Sequence, residues 1–159
     1  MRCDPIPVSQ GTLGAKGMLA SSPQPVGGHH RACTLPLMVS RIAAGFPSPA
    51  DDYVEKQIDL NTHLIQHREA TFILRVTGWS MRDAGIFDGD EIIVDRAITP
   101  VDGKIVVAAI DGELTVKRLR QIGSAVHLVA ENLEFPDIVL NEGQELCIWG
   151  VVTRVLHRV

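Results

Sequence analysis

From about residue 70 onward the chain alternates short apolar runs with turn signals, and that rhythm leaves few folds open to it. The runs read "TFILRVTG", "DEIIVD", "GKIVVAAI", "GELTVKRL", "AVHLVA", "DIVL" and "ELCIWGVVTRVL". Turn signals stand between them at Asp88-Gly89, Asp102-Gly103 and Asp111-Gly112. The last of these is the sharpest, because a two-residue type I′ turn needs positive φ at both central positions and Asp-Gly supplies it. Short strands at regular spacing with little helix predict a mostly β body, an antiparallel, compact, barrel-like domain.

The region ahead of that body has a different composition. Residues 1 to about 33 hold Pro5, Pro7, Pro23 and Pro25 with Gly11, Gly14, Gly17, Gly27 and Gly28, and show neither a helical nor a strand period. A disordered or extended N-terminal arm is the expectation. Residues 1 to 44 carry Arg2, Lys16, Arg31 and Arg41 against Asp4, a balance of +3, so a total of −4 leaves −7 on the rest. An acidic body is a poor phosphate binder, which argues against direct sequence-specific DNA binding. The prolines and glycines of the arm also leave no amphipathic helix pair for a helix-turn-helix.

Other classes are excluded on similar grounds. No run approaches the length of a membrane span, and "TLPLMVSRIAAGF" is broken by Pro36 and Arg41. Cys3, Cys33 and Cys147 are an odd set without framework spacing, which favours a reducing compartment and a cytoplasmic location. "GGHHRAC" offers His29, His30 and Cys33, but a zinc site needs about four ligands and no second pair follows. In "DLNTHLIQH" Asp59 reads as the N-cap of a short helix, with His63 and His67 as exposed residues rather than ligands. No metal or cofactor is expected.

The stretch most able to carry chemistry is "VTGWSMRDAGIFDGDEIIVD". Gly78 permits a sharp turn at the end of a strand, which places Ser80 at a strand end rather than inside a sheet. A serine hydroxyl is a weak nucleophile and needs a base. His127 and His157 are the histidines of the β-rich half, each with a plain structural reading as a strand or tail residue. Lys117 is the stronger candidate. Period 2 in "ELTVKRL" sets Thr115, Lys117 and Leu119 on one face and Leu114, Val116 and Arg118 on the other, so one cation faces the body or its rim. Deprotonating an exposed lysine at pH 7 costs roughly 4.6 kcal/mol. Burial lowers a lysine pKa by about 3 to 5 pH units, enough to cover that cost. A surface lysine on a hairpin is the plain alternative.

"GFPSPADDYVEKQIDLN", "LIQH", "GWSM", "GIFDGDEIIVD" and "IVVAAIDGELTVKRL", in that order, resemble the UmuD branch of the LexA/UmuD self-cleaving serine peptidases. The resemblance runs from about Ala44 to the C-terminal "WGVVTRVLHRV". It implies a LexA/signal-peptidase-type catalytic domain with Ser80 as nucleophile and Lys117 as general base, 37 residues apart. It implies a scissile bond between Ala44 and Gly45, which divides the chain into an arm, 1–44, and a peptidase-fold domain, 45–159. Backbone N–H groups near Ser80 and Met81 would form the oxyanion hole. The implied role is SOS-response translesion synthesis: a homodimer that cleaves itself under stimulation by a RecA filament, then joins a UmuC-like Y-family DNA polymerase subunit. Competing readings are a non-cleaving polymerase-binding module, a self-cleaving regulator without a DNA-binding domain, and a signal-peptidase-type enzyme, which would want a membrane anchor. The arm is longer than the UmuD arms it resembles, and a later start at Met18 is one reading of the excess.

Overall fold

A computed structural model describes residues 24–25, 32–38, 54–123, 125–139 and 146–159. Ala44 and Gly45, His29 and His30, and the first 23 positions lie outside the described residues. The chain divides into two compact units, one taking residues 27–68 and the other the N-terminal 26 with 69–159.

The smaller unit is a ribbon. Strand β2 (Thr34–Met38) pairs antiparallel with β3 (Val54–Asp59), from Thr34 opposite Asp59 to Met38 opposite Val54; β1 belongs to the other unit. Helix α1 (Leu60–Leu64) follows at once. Its cap is the one read from sequence: the Asp59 carboxylate accepts from the Asn61 N–H at 3.2 Å and from the Thr62 hydroxyl at 3.1 Å. That satisfies a backbone donor left open by the first helical turn. The same carboxylate accepts from Cys33 N–H at 3.1 Å, and Leu60 N–H donates to the Cys33 carbonyl at 2.9 Å, so the cap also fixes the start of the ribbon. His63 and His67 are both exposed, although the helix ends before His67.

In the larger unit each of the apolar runs becomes a strand. They are β4 (Thr71–Arg75), β5 (Glu91–Asp95), β6 (Ile105–Ile110), β7 (Glu113–Ile122), β8 (Ala125–Val129), β9 (Ile138–Val139) and β10 (Leu146–Leu156). With β1 (Gln24–Pro25) they form one antiparallel sheet in the order β1-β4-β5-β10-β6-β7-β8-β9. The expected mostly β, antiparallel body is borne out; β1 and β9 are the outer strands, and among the described residues they do not pair to close a barrel. The Asp111-Gly112 hairpin is as the sequence predicts, with φ of 49° and 87° and Ile110 opposite Glu113.

Both faces of the sheet are covered. Leu74, Ile92, Val94, Val107, Val116 and Trp149 gather on one side with Met81 and Ile86, and Val106, Ala108, Leu119, Leu128 and Val151 on the other. Two-sided burial is why "EIIVD" and "KIVVAAI" read as continuous apolar runs instead of alternating ones. The long strand β10 joins the two halves of the sheet by pairing with β5 and β6. Its Gly150 permits a close approach, since a Cβ there would stand 2.7 Å from Val94 Cγ1. Cys33 is free and exposed.

Candidate active site

Strand β4 ends at Arg75, and the chain then turns through Gly78 at φ 98°. The Gly78 N–H donates to the Asp88 carboxylate at 2.7 Å, tying this turn to the one carrying Asp88-Gly89. Trp79 follows, half-exposed, with its ring edge toward Phe87. Met81 is fully buried and enters the core beside Leu74 and Val76, anchoring the turn from below. A short 3-10 turn, Arg82–Ala84, closes on Gly85 in the left-handed region. Ser80 is thereby held at the end of a strand, where the Gly-x-Ser pattern placed it, but it is 3% exposed rather than open to solvent.

Lys117 comes to the same place from the second arm of the Asp-Gly hairpin. It lies opposite Val106 in the β6–β7 pairing, and directly opposed residues share a face. That puts its stem on the side where Val106, Ala108 and Leu119 pack. Lys117 is 5% exposed, and its Nζ donates to Ser80 Oγ at 2.9 Å, to Thr115 Oγ1 at 3.2 Å and to the Val116 carbonyl at 3.1 Å. Burial lowers its pKa from 10.5 to about 8, while the charge of Asp137 acts in the opposite direction. Desolvation wins because none of the three groups bonded to Nζ is a carboxylate. At pH 7 the neutral amine is then only about 1 kcal/mol uphill. Serine and lysine held this way can form a nucleophile and base pair.

The histidines stand elsewhere. His157 Nδ1 is 2.6 Å from Asp90 Oδ1, and its ring packs against Phe87. His127 lies on β8, opposite Arg120 on one side and Val139 on the other. The adjacent cation Arg118 takes the other side of β7, ion-paired with Glu131 and donating to the Gly103 carbonyl at 2.7 Å. A cavity of about 380 Å³ lined by Phe72, Arg96, Ile98 and Trp149 includes neither Ser80 nor Lys117. Among the described residues no cluster of three metal-ligating side chains occurs, and no helix is long and apolar enough to cross a membrane.

The sequence reading passed over Asn132. It is 3% exposed, and its Nδ2 donates to the Trp79 carbonyl at 2.9 Å. The only local signal is that an asparagine followed two positions later by a free N–H makes an Asx turn, which Oδ1 does with Glu134 N–H at 3.0 Å.

A β-sheet body presenting a buried Ser-Lys contact at a strand end defines a class, and the sequence falls within it. The S24-like peptidase family matches residues 36–153, and the chain belongs to that family, on its UmuD-like side. It is 48% identical over 124 residues to protein ImpA of Salmonella typhimurium, covering 77% of this chain and 83% of that one. Protein MucA of Escherichia coli is 42% identical over 130 residues, 81% of this chain and 88% of that one. The LexA repressor of Cupriavidus taiwanensis is 42% identical over 124 residues, which are 78% of this chain but 56% of the repressor. The expected family resemblance is therefore borne out, and with it membership among serine peptidases that cleave themselves.

Proposed function

We propose that this chain cuts its own Ala44–Gly45 bond with Ser80 as nucleophile and Lys117 as general base. The observation that carries the reading is the 2.9 Å contact between Lys117 Nζ and Ser80 Oγ, made by a buried lysine whose pKa lies near 8. Neutral Lys117 takes the hydroxyl proton as Ser80 Oγ attacks the Ala44 carbonyl carbon. Backbone N–H groups at Ser80 and Met81 stabilise the oxyanion, and Lys117 returns the proton to the Gly45 nitrogen as the C–N bond breaks. Water, deprotonated by the same amine, then hydrolyses the Ser80–Ala44 ester. The products are residues 1–44 with a new carboxylate and residues 45–159 with a new amine.

Membership beside ImpA, SamA and MucA supports a role in SOS mutagenesis. In that role the chain is a cytoplasmic homodimer, a RecA filament stimulates the cut by favouring the docked arm, and the trimmed product joins a UmuC-like Y-family polymerase subunit. Purified protein incubated across pH 7 to 10 tests the chemistry. With a midpoint near 8, cleavage rises about tenfold from pH 7 to its plateau, with a fragment starting at Gly45 identified by mass. Cleavage that persists in Ser80→Ala or Lys117→Ala overturns the assignment. A chain that stays whole under all conditions, yet still binds the polymerase, would mark it as a non-cleaving module.

A further inference from the structure

The turn that carries Ser80 has one apolar anchor, Met81, on its C-terminal side. On its N-terminal side Gly78 sits at φ 98° with its N–H bonded to Asp88, and Trp79 is 49% exposed with a ring contact to Phe87, so apolar packing alone does not fix the Trp79–Ser80 peptide. Hydrogen bonds from the 131–134 segment do that instead. Glu131 N–H donates to the Ser80 carbonyl at 2.8 Å, and Asp83 N–H donates to the Glu131 carbonyl at 2.8 Å. Asn132 Nδ2 donates to the Trp79 carbonyl at 2.9 Å, while its Oδ1 accepts from Glu134 N–H at 3.0 Å. The Glu131 side chain is ion-paired with Arg118, the residue after Lys117. The segment thus grips both carbonyls that flank the Ser80 amide nitrogen and Cα, and is itself tied to the strand bearing the lysine.

We propose that Asn132 is a positioning residue for the nucleophile. A buried amide is costly unless both of its ends are bonded, and here one end bonds its own loop and the other bonds the peptide preceding Ser80. The bond to Trp79 spans 53 positions of sequence and has no function in forming the Asx turn. It fixes the tilt of the Trp79–Ser80 peptide, and with it the direction of Ser80 Cβ–Oγ toward Lys117. This inference rests on the Ser80–Lys117 reading. A displacement of about 1 Å at a reacting atom lowers a rate on the order of 100-fold.

The test compares Asn132→Ala with Asn132→Asp in the full chain, reading the plateau cleavage rate above pH 9 and the thermal midpoint of unfolding. Asn132→Asp keeps the acceptor for Glu134 N–H and loses the donor to Trp79, so it separates the two halves of the side chain. Reading the plateau removes any shift in the Lys117 midpoint that a new carboxylate causes. Both variants are expected to fold and to lose on the order of 10- to 100-fold in plateau rate. A wild-type plateau in Asn132→Asp, with or without a loss in Asn132→Ala, overturns the proposal and leaves the dyad standing. Loss of folding in both variants would make Asn132 a stability residue and also overturns it. Cleavage that persists in Ser80→Ala or Lys117→Ala, or wild-type protein that never cleaves, removes the dyad and this inference together.

Discussion

Lys117 and Arg118 are adjacent cations on β7, and the two faces of that strand treat them in opposite ways. Arg118 meets a carboxylate and a carbonyl and is partly exposed. Lys117 meets two hydroxyl oxygens and a carbonyl among apolar side chains. None of these repays the loss of water around an ammonium, so its proton is loosely held. The difference teaches that withholding a counter-ion is what lowers the cost of a neutral lysine here. The strand places one cation where a carboxylate meets it and the other where none does.

Exchanging the two chemistries should break that contrast most severely. Lys117→Arg puts a guanidinium, which cannot lose its proton, beside Ser80, and self-cleavage is expected to fall on the order of 1,000-fold or more at every pH up to 10. A fragment starting at Gly45 produced at an appreciable rate by this variant would show that Lys117 is not the base.

The cost of withholding a counter-ion should be visible in stability. The folded pKa of Lys117 lies below the unfolded value of 10.5, so between about 8 and 10.5 the unfolded chain holds more protons and stability contributed by this residue rises with pH. Below about pH 8 the folded protein bears the whole penalty. Lys117→Met, tested in denaturant at pH 7, is therefore expected to be more stable than wild type by about 1 to 3 kcal/mol, the gain shrinking as pH approaches 10. Equal or lower stability at pH 7 would mean that the site hydrates or pairs the ammonium after all.

The smallest effect concerns Asp137, a carboxylate that reaches Lys117 electrostatically. Asp137 raises the lysine pKa, while its Oδ1 accepts from Ala130 N–H at 3.0 Å. Asp137→Asn keeps an acceptor there and removes the charge. The pH midpoint of cleavage should move below 8 by a fraction of a unit, with roughly a twofold gain in rate at pH 7 and no change in plateau. An upward move in midpoint would reverse the sign assigned to that interaction.

How far the sequence revealed this arrangement depended on the range of each interaction. Asp111-Gly112 announces its hairpin because its positive φ is a two-residue property. The strands of the sheet were visible as runs, but which of Lys117 and Arg118 turns toward Ser80 was not. Period 2 separates the faces of β7, yet both faces are apolar, with Val116 packed on one and Leu119 on the other. The choice is made by register with β6, a fact about two strands. Asn132 was illegible for a similar reason, since its partner is 53 positions away. Strand β2 was hidden by Pro36, which lacks an N–H and argues against an interior strand. In a two-stranded ribbon both strands are edges, so proline is tolerated opposite Gln57.

The ribbon gives the proposed cut a direction in time. The Ala44–Gly45 bond falls in the connection 39–53, between the paired strands β2 and β3, so hydrolysis would leave the partners of one ladder on two separate chains. Before the cut, tethering holds Thr34–Met38 beside Val54–Asp59 at an effective concentration on the order of millimolar. Afterwards that advantage is gone, and a short two-stranded ladder is marginal in water by itself. The Cys33 contacts to Asp59 and Leu60 would go with it. Departure of the released strand would disfavour religation and bare the hydrogen-bonding edge of β3, so the ribbon would act as a ratchet on the proposed cut: one hydrolysed bond would become a change that is hard to reverse.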